Sequence, residues 1–289
     1  MCAASRRTPY SMTMVHTGQA RGELIARGNT SDVWRWSGTT VVKVLRPGIP
    51  PQWARLESEI TSRVHAAGLP VPACDGVVDV DGRPGIVLEF VGGPSMWADM
   101  KRRPDQVSSL VDRLVDLQEQ VLAAGPLDGL PDLGTRLRGK IDVAGQLPAD
   151  ERAEARRLLA GLPEGAALCH GDMHPANLLR SPRGWVIVDW FDAAIGHPLA
   201  DYARSSLLMP PASAVESANR HLDGVTVEVL GRLHDAYRAA LARRGYLDED
   251  LFPAWESVLA VARMSEPVQT SDLLDVWRRW RADHPAPTA

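Results

Sequence analysis

The sequence predicts an α+β fold in two unequal parts, a small antiparallel β-sheet with one helix over residues 1–92 and a larger, mainly helical part over residues 93–289. Three observations predict it. Short β-rich runs bounded by turn residues fill the first ~90 residues. After "VGGPS" (91–95) the pattern changes to helical periodicity with cap residues. A chain of 289 residues, 45% hydrophobic and 24% charged, is long and apolar enough for one large or two coupled cores.

Residues 1–15 read as a loose arm, with Met14 an alternative start, and "MCAASRRTPYSMTMVHTGQ" has no apolar run of the kind a signal peptide carries. "DVWRW" and "TVVKVL" flank "SGT", and "GVVDV" and "GIVLEFV" flank "DGRP", so each pair reads as a hairpin. Between them "PQWARLESEITSRVHAAG" places Leu56, Ile60 and Val64 at helical spacing, with Pro51 at its start and Gly68 past its end. "VGGPS" then reads as a flexible link. A helix with Val107, Leu110, Leu114, Leu117 and Val121 on one face stops at Gly125-Pro126. "PADERAEARRLLAG" is a second helix, with Asp150 as its expected N-cap. "AALCH" leads into a strand pair, "NLL" and "WVIVD", joined across "RSPRG". Helices follow at 226–243, 252–264 and 271–282, and there is no internal repeat.

A net charge of −4 without a basic tail argues against nucleic acid as a partner. The 32 basic residues comprise 29 Arg and only Lys43, Lys101 and Lys140. Cys2, Cys74 and Cys169 are too few and too scattered for a disulfide framework or a zinc cluster, so a reduced, cytoplasmic protein is expected. No apolar run is long enough to span a membrane. Nothing points beyond a monomer or weak dimer.

The densest chemistry lies in "CHGDMHPANLL" (169–179). His170, Asp172 and His174 alternate and on a strand would share a zinc-binding face, but Gly171 and Pro175 break such a strand. A second alternative is a loop whose polar residues only cap turns. The wider spacing favours a third. Asn177 follows Asp172 by five residues and Asp189 follows it by seventeen, the layout that phosphoryl transfer to a hydroxyl needs. One carboxylate accepts the hydroxyl proton, and an amide oxygen and a second carboxylate hold Mg²⁺ on the nucleotide phosphates. Such chemistry also needs a lysine on the phosphates. Lys43, inside "VVKVL", either serves there or points to solvent from an edge strand. Glu59, sixteen residues on, is its expected ion-pair partner, with Glu57 the alternative.

With these residues in place, the chain resembles the aminoglycoside phosphotransferase family over roughly residues 20–285, most specifically in "HGDMHPAN" (170–177) and "VIVDWFDAAIGHPLADYAR" (186–204). The resemblance implies a protein-kinase-like two-lobe fold, Mg²⁺, and ATP or GTP as phosphoryl donor. It implies Asp172 as catalytic base, Asn177 and Asp189 as metal ligands, and Lys43 with Glu59 as the nucleotide-anchoring pair. Asp201 looks like the aspartate that braces the catalytic loop, and His170 like its orienting histidine, or simply a structural one. His174 stands where protein kinases carry a lysine. At the phosphate loop "ARGNTSDVWRW" offers only Gly28, with Asn29, Thr30 and Ser31 as further donors. "IVLEFVGG" (86–93) resembles the hinge that receives the base through the backbone of Glu89 and Val91. No G-x-x-x-x-G-K-[ST] occurs, which excludes a P-loop kinase, and no A-P-E follows Asp189, which argues against a protein substrate.

The implied acceptor is a small hydroxyl-bearing molecule, and family members act on antibiotics as well as metabolites. Residues 201–289 carry 13 acids against 10 bases, whereas residues 1–100 carry 9 against 10. The acids gather at "LDEDL" (247–251), Glu266, Asp272 and Asp275, with Asp192 nearer the motif. A carboxylate-lined site favours a cationic acceptor such as an aminoglycoside or a basic peptide antibiotic.

Overall fold

The structure, a computed structural model, describes residues 15–16, 21–209, 211, 224–267 and 270–285. The arm expected over 1–15 therefore lies outside the described residues except for Val15. The chain divides into two compact units, one running to Glu59 and including Ala73–Phe90, the other holding Ile60–Pro72 and the chain from Val91 onward.

The first unit is a six-stranded sheet in the order β1-β5-β6-β4-β3-β2. Its strands are β1 (Val15–His16), β2 (Leu24–Arg27), β3 (Ser31–Arg35), β4 (Thr40–Leu45), β5 (Cys74–Val80) and β6 (Arg83–Glu89). The pairs β3–β4 and β5–β6 are the expected hairpins, and only β1–β5 is parallel. Strand β4 lies inside the sheet, so "VVKVL" is buried on both faces and reads as a continuous apolar run. Val42 and Val44 pack with Val80 and Val87 on one face. On the other, Leu45 and Ile86 meet Ala54 of helix α1 (Gln52–Ala66). Ala54, Glu57, Ser58 and Thr61 form the buried stripe of α1, with Ile60 and Val64 beside it and Leu56 at its margin.

The second unit opens on "VGGPS", which is fastened rather than flexible. Ser95 Oγ accepts the Ala98 N–H at 3.2 Å and caps α2 (Met96–Arg102). A Cβ on Gly93 would stand 1.9 Å from the Arg180 carbonyl oxygen, so only glycine fits that approach. Helices α3 (Val107–Ala123), α4 (Leu133–Asp142), α5 (Ala149–Gly161), α6 (Pro198–Leu208), α7 (Gly224–Arg243), α8 (Leu251–Arg263) and α9 (Ser271–Asp283) follow. Pro148, not Asp150, is the N-cap residue of α5; Asp150 lies in the first turn, where its charge complements the helix dipole. Helix α8 packs against α4, α5, α6 and α9 and is buried almost all round, as its near-continuous apolar sequence requires. Two small sheets complete the unit, β7 (Ala167–Cys169) with β10 (Ala194–Gly196), and β8 (Leu178–Ser181) with β9 (Gly184–Ile187). The strand expected to end at Asp189 stops at Ile187. Cys74 and Cys169 are free thiols, and Cys2 lies outside the described residues. Among the described residues no helix is long and apolar enough to cross a membrane.

Candidate active site

Strand β7 delivers the chain into the loop His170–Asn177, and the β8–β9 hairpin returns beside it. Val188 N–H donates to the Asn177 carbonyl at 2.9 Å, which sets Asp189 one residue beyond that contact. Asp189 has φ 65°, a left-handed conformation that aspartate tolerates better than most residues. Gly171 has φ 76°, and a Cβ there would meet the Asp192 carbonyl oxygen at 2.5 Å. Glycine is thus required at the residue before Asp172.

His170 is fully buried. Its Nδ1 accepts the Asp172 N–H at 3.1 Å, so Nε2 carries the proton and donates to the Val188 carbonyl at 3.2 Å. Burial pushes its pKa down, against the pull of Asp201, Asp172 and Asp189. With both ring nitrogens spent inside the protein, His170 is a staple between the loop and the Asp189 segment, and the zinc arrangement fails. Asp201 Oδ1 accepts the Gly171 N–H at 2.7 Å and Oδ2 accepts Gln118 Nε2 at 2.8 Å. Burial raises the Asp201 carboxyl pKa despite these donors.

Asp172 keeps about a quarter of its side chain exposed, at 24%. Desolvation opposes its ionisation, but His174, Arg204 and His170 outweigh it and hold the carboxyl far below the usual carboxylate range. His174 Nε2 lies 3.5 Å from Asp172 Oδ2. Asn177 Nδ2 donates to the Asp172 carbonyl and to Oδ2, both at 3.0 Å. A carbonyl only accepts, so the amide nitrogen must face it and Asn177 Oδ1 faces the other way. The oxygens of Asn177 and Asp189 are hard donors of the kind Mg²⁺ takes, and the chemistry of this pair fits such an ion.

Sequence reasoning missed the charged shell behind the loop. Arg204, 6% exposed, donates from Nε to the Gly171 carbonyl at 3.0 Å and pairs with Glu266 at 2.9 Å. Its Nη2 is 3.6 Å from Asp172 Oδ1 and 3.9 Å from Asp192. Lys140 joins Asp192 to Glu266 at 3.0 Å each, Arg136 stands 3.3 Å from Asp192, and Arg263 reaches Glu266 at 3.4 Å. Asp192 and Glu266 are therefore neutralised by these cations and do not offer free negative charge. Arg204 was within reach of the sequence, since it follows Asp201 by one helical turn in "HPLADYAR".

In the first unit, Lys43 Nζ donates to Glu57 Oε1 at 2.7 Å, with side-chain exposures of 9% and 5%. The partner is Glu57, not Glu59, which is exposed on the opposite face of α1. Nor does Lys43 point to solvent, because β4 is an inner strand. Gly28 N–H donates to the Ser31 carbonyl at 2.8 Å and closes a tight loop whose exposed residues are Gly28 and Asn29. Ser31 starts β3 and is covered, at 4% exposure. Glu89 ends β6 with its N–H on the Ala73 carbonyl at 2.9 Å and its Oε2 accepting Ala73 N–H at 3.2 Å. Val91 begins the second unit.

The second unit also holds a groove of about 1160 Å³ between α6, α7, α8 and α9. Glu249, Asp250, Asp272, Asp275 and Asp283 line it together with Arg238, Arg263, Arg278 and Arg279, so its lining is mixed in charge, and Arg263 ties it to the Glu266 cluster.

The profile of the phosphotransferase enzyme family matches residues 21–222, and the chain belongs to that family. Its fold is shared with the aminoglycoside-3'-phosphotransferase of type VIII, at 20% identity and a TM-score of 0.57 over 83% of this chain and 91% of that one. It is likewise similar to the aminoglycoside phosphotransferase APH(3'')-Id from Streptomyces rimosus, at 19% identity and 0.51 over 85% and 93%. A thermostable mutant of APH(4)-Ia matches at 16% identity and 0.50 over 87% and 98%. The chain has the kinase-like α+β fold and is a phosphotransferase.

Proposed function

We propose that this enzyme moves the γ-phosphate of ATP, or of GTP, to a hydroxyl of a small cationic molecule, an aminoglycoside or a basic peptide antibiotic, and so inactivates it. Asp172 takes the role of base: it orients the acceptor hydroxyl and receives its proton as the phosphoryl group arrives. Asn177 Oδ1 and Asp189 would hold Mg²⁺, which when bound neutralises the phosphate charge. Lys43, aimed by Glu57, binds the phosphates, and the backbone at Glu89 and Val91 binds the base. Asp201 and His170 keep the loop in place. The acceptor's ammonium groups sit against Glu249, Asp250, Asp272, Asp275 and Asp283 in the groove.

One observation carries this reading. Asp172 stays partly open at 24% exposure beside His174 and Arg204, which favour its charged form, while Asn177 clamps it and turns an oxygen outward. A phosphoryl-transfer screen over antibiotics and hydroxylated metabolites, with ATP and GTP in parallel, tests the acceptor; turnover of neutral acceptors alone would refute the cationic assignment. Asp172→Asn is expected to leave nucleotide affinity intact and to lower turnover about 10²-fold or more. A variant with near wild-type kcat removes Asp172 from the mechanism.

A further inference from the structure

Two side chains one turn apart on α6 grip one residue from both ends. Asp201 Oδ1 takes the Gly171 N–H at 2.7 Å and Arg204 Nε gives to the Gly171 carbonyl at 3.0 Å. That carbonyl belongs to the peptide that joins Gly171 to Asp172. The Arg204 guanidinium also lies 3.6 Å from Asp172 Oδ1, while Asn177 holds Oδ2 at 3.0 Å, so the carboxylate is flanked on both oxygens. Among the described residues three carboxylates lie within 4 Å of Arg204, and Glu266 is the nearest of them, at 2.9 Å. Asp192 is already occupied by Lys140 at 3.0 Å and Arg136 at 3.3 Å. A guanidinium fork engages several partners at fixed angles, which a lysine ammonium does not.

We infer that Arg204 is a positioning residue for phosphoryl transfer: aimed by Glu266, it fixes the Gly171–Asp172 peptide and the Asp172 carboxylate as one rigid unit. This rests on Asp172 being the base. It makes the salt-bridge shell behind the loop part of the reaction rather than of folding alone. It also assigns a function to Glu266, which lies beyond the residues matched by the family profile.

Phosphate release from Mg·ATP, with water as acceptor, tests it without knowing the natural substrate. Arg204→Lys keeps the charge and Glu266→Gln keeps the volume. Each is expected to lower kcat about 10-fold or more while KM for Mg·ATP stays within about twofold, since misplacement of a reacting group costs turnover. In an Asp172→Asn background neither is expected to lower the rate further, because both act through the group already removed. An equal loss in both backgrounds, or a loss confined to KM, overturns the inference while leaving Asp172 as base. Should Asp172→Asn itself release phosphate at the wild-type rate, the underlying reading fails instead. If Arg204→Lys proves unfolded by circular dichroism, the Glu266→Gln pair of measurements decides alone.

Discussion

A buried ammonium without a counter-charge is costly, and the sequence around Lys43 places it among valines. Glu57 supplies that charge from within α1, which fixes an asymmetry between two glutamates only two positions apart. Glu57→Ala is expected to cost about 3 kcal/mol of stability, because it strands Lys43, and to weaken nucleotide binding. Glu59→Ala, on the exposed side of the helix, is expected to change stability by less than about 0.5 kcal/mol. Equal effects in urea titrations would contradict the assignment. Asp189 calls for a different control. Its φ of 65° suits asparagine as well as aspartate, so Asp189→Asn isolates the charge, whereas Asp189→Ala adds backbone strain. Both are expected to abolish Mg²⁺-dependent ATP binding in calorimetry; unchanged affinity in Asp189→Asn would mean that its charge does not hold the metal.

Elements were legible in the sequence wherever one pattern decided them. The two hairpins, α1, α3 and the long C-terminal helices follow from alternation, helical spacing and cap residues. Helix α2 was not legible, because seven residues are too few for a period to register. The partner of Lys43 was undecided for a related reason: a one-residue doubt in helix register rotates every side chain by about 100°. The motif residues 170–177 and 189 were readable from spacing, but the cations behind them were not. Lys140 and Arg136 reach Asp192 from α4, and Glu266, just beyond α8, meets Lys140 and Arg204, so the partners are far apart in sequence. Helix α6, which carries Asp201 and Arg204, is itself capped by His197, whose Nδ1 accepts the Leu199 N–H at 3.3 Å. Burial holds His197 below the ordinary histidine pKa. Below about pH 6.5 the unfolded chain therefore binds a proton that the folded chain resists, and stability falls as pH drops through that window. His197→Asn caps without titrating, so its Tm is expected to fall less than that of the wild type between about pH 7.5 and 5.5. His170, also buried neutral, leaves some of the slope in place. Identical slopes in the two proteins would show that the cap does not titrate.

Across the whole molecule, formal charge says less than its arrangement. The acids of the C-terminal third divide into those held in the buried cluster, such as Asp192 and Glu266, and those on the groove, where Glu256 pairs with Arg238 at 2.9 Å and Arg278 lies 4.0 Å from Asp275. For a cationic acceptor, KM is expected to rise steeply between low salt and about 0.5 M, where screening acts within ~5 Å. A salt-independent KM would point to an acceptor recognised by shape or apolar contact. The preference for arginine over lysine has another consequence. Of the three lysine amines, Lys43 is locked to Glu57 and Lys140 lies between Asp192 and Glu266, whereas Lys101 stands exposed on α2. Apart from the α-amino group, an amine-directed fluorophore used sparingly finds one accessible partner on the folded chain. Among the three lysines Lys101 thus offers the exposed attachment point, 5.8 Å from the ring of Trp97, for a fluorophore placed without any engineered cysteine.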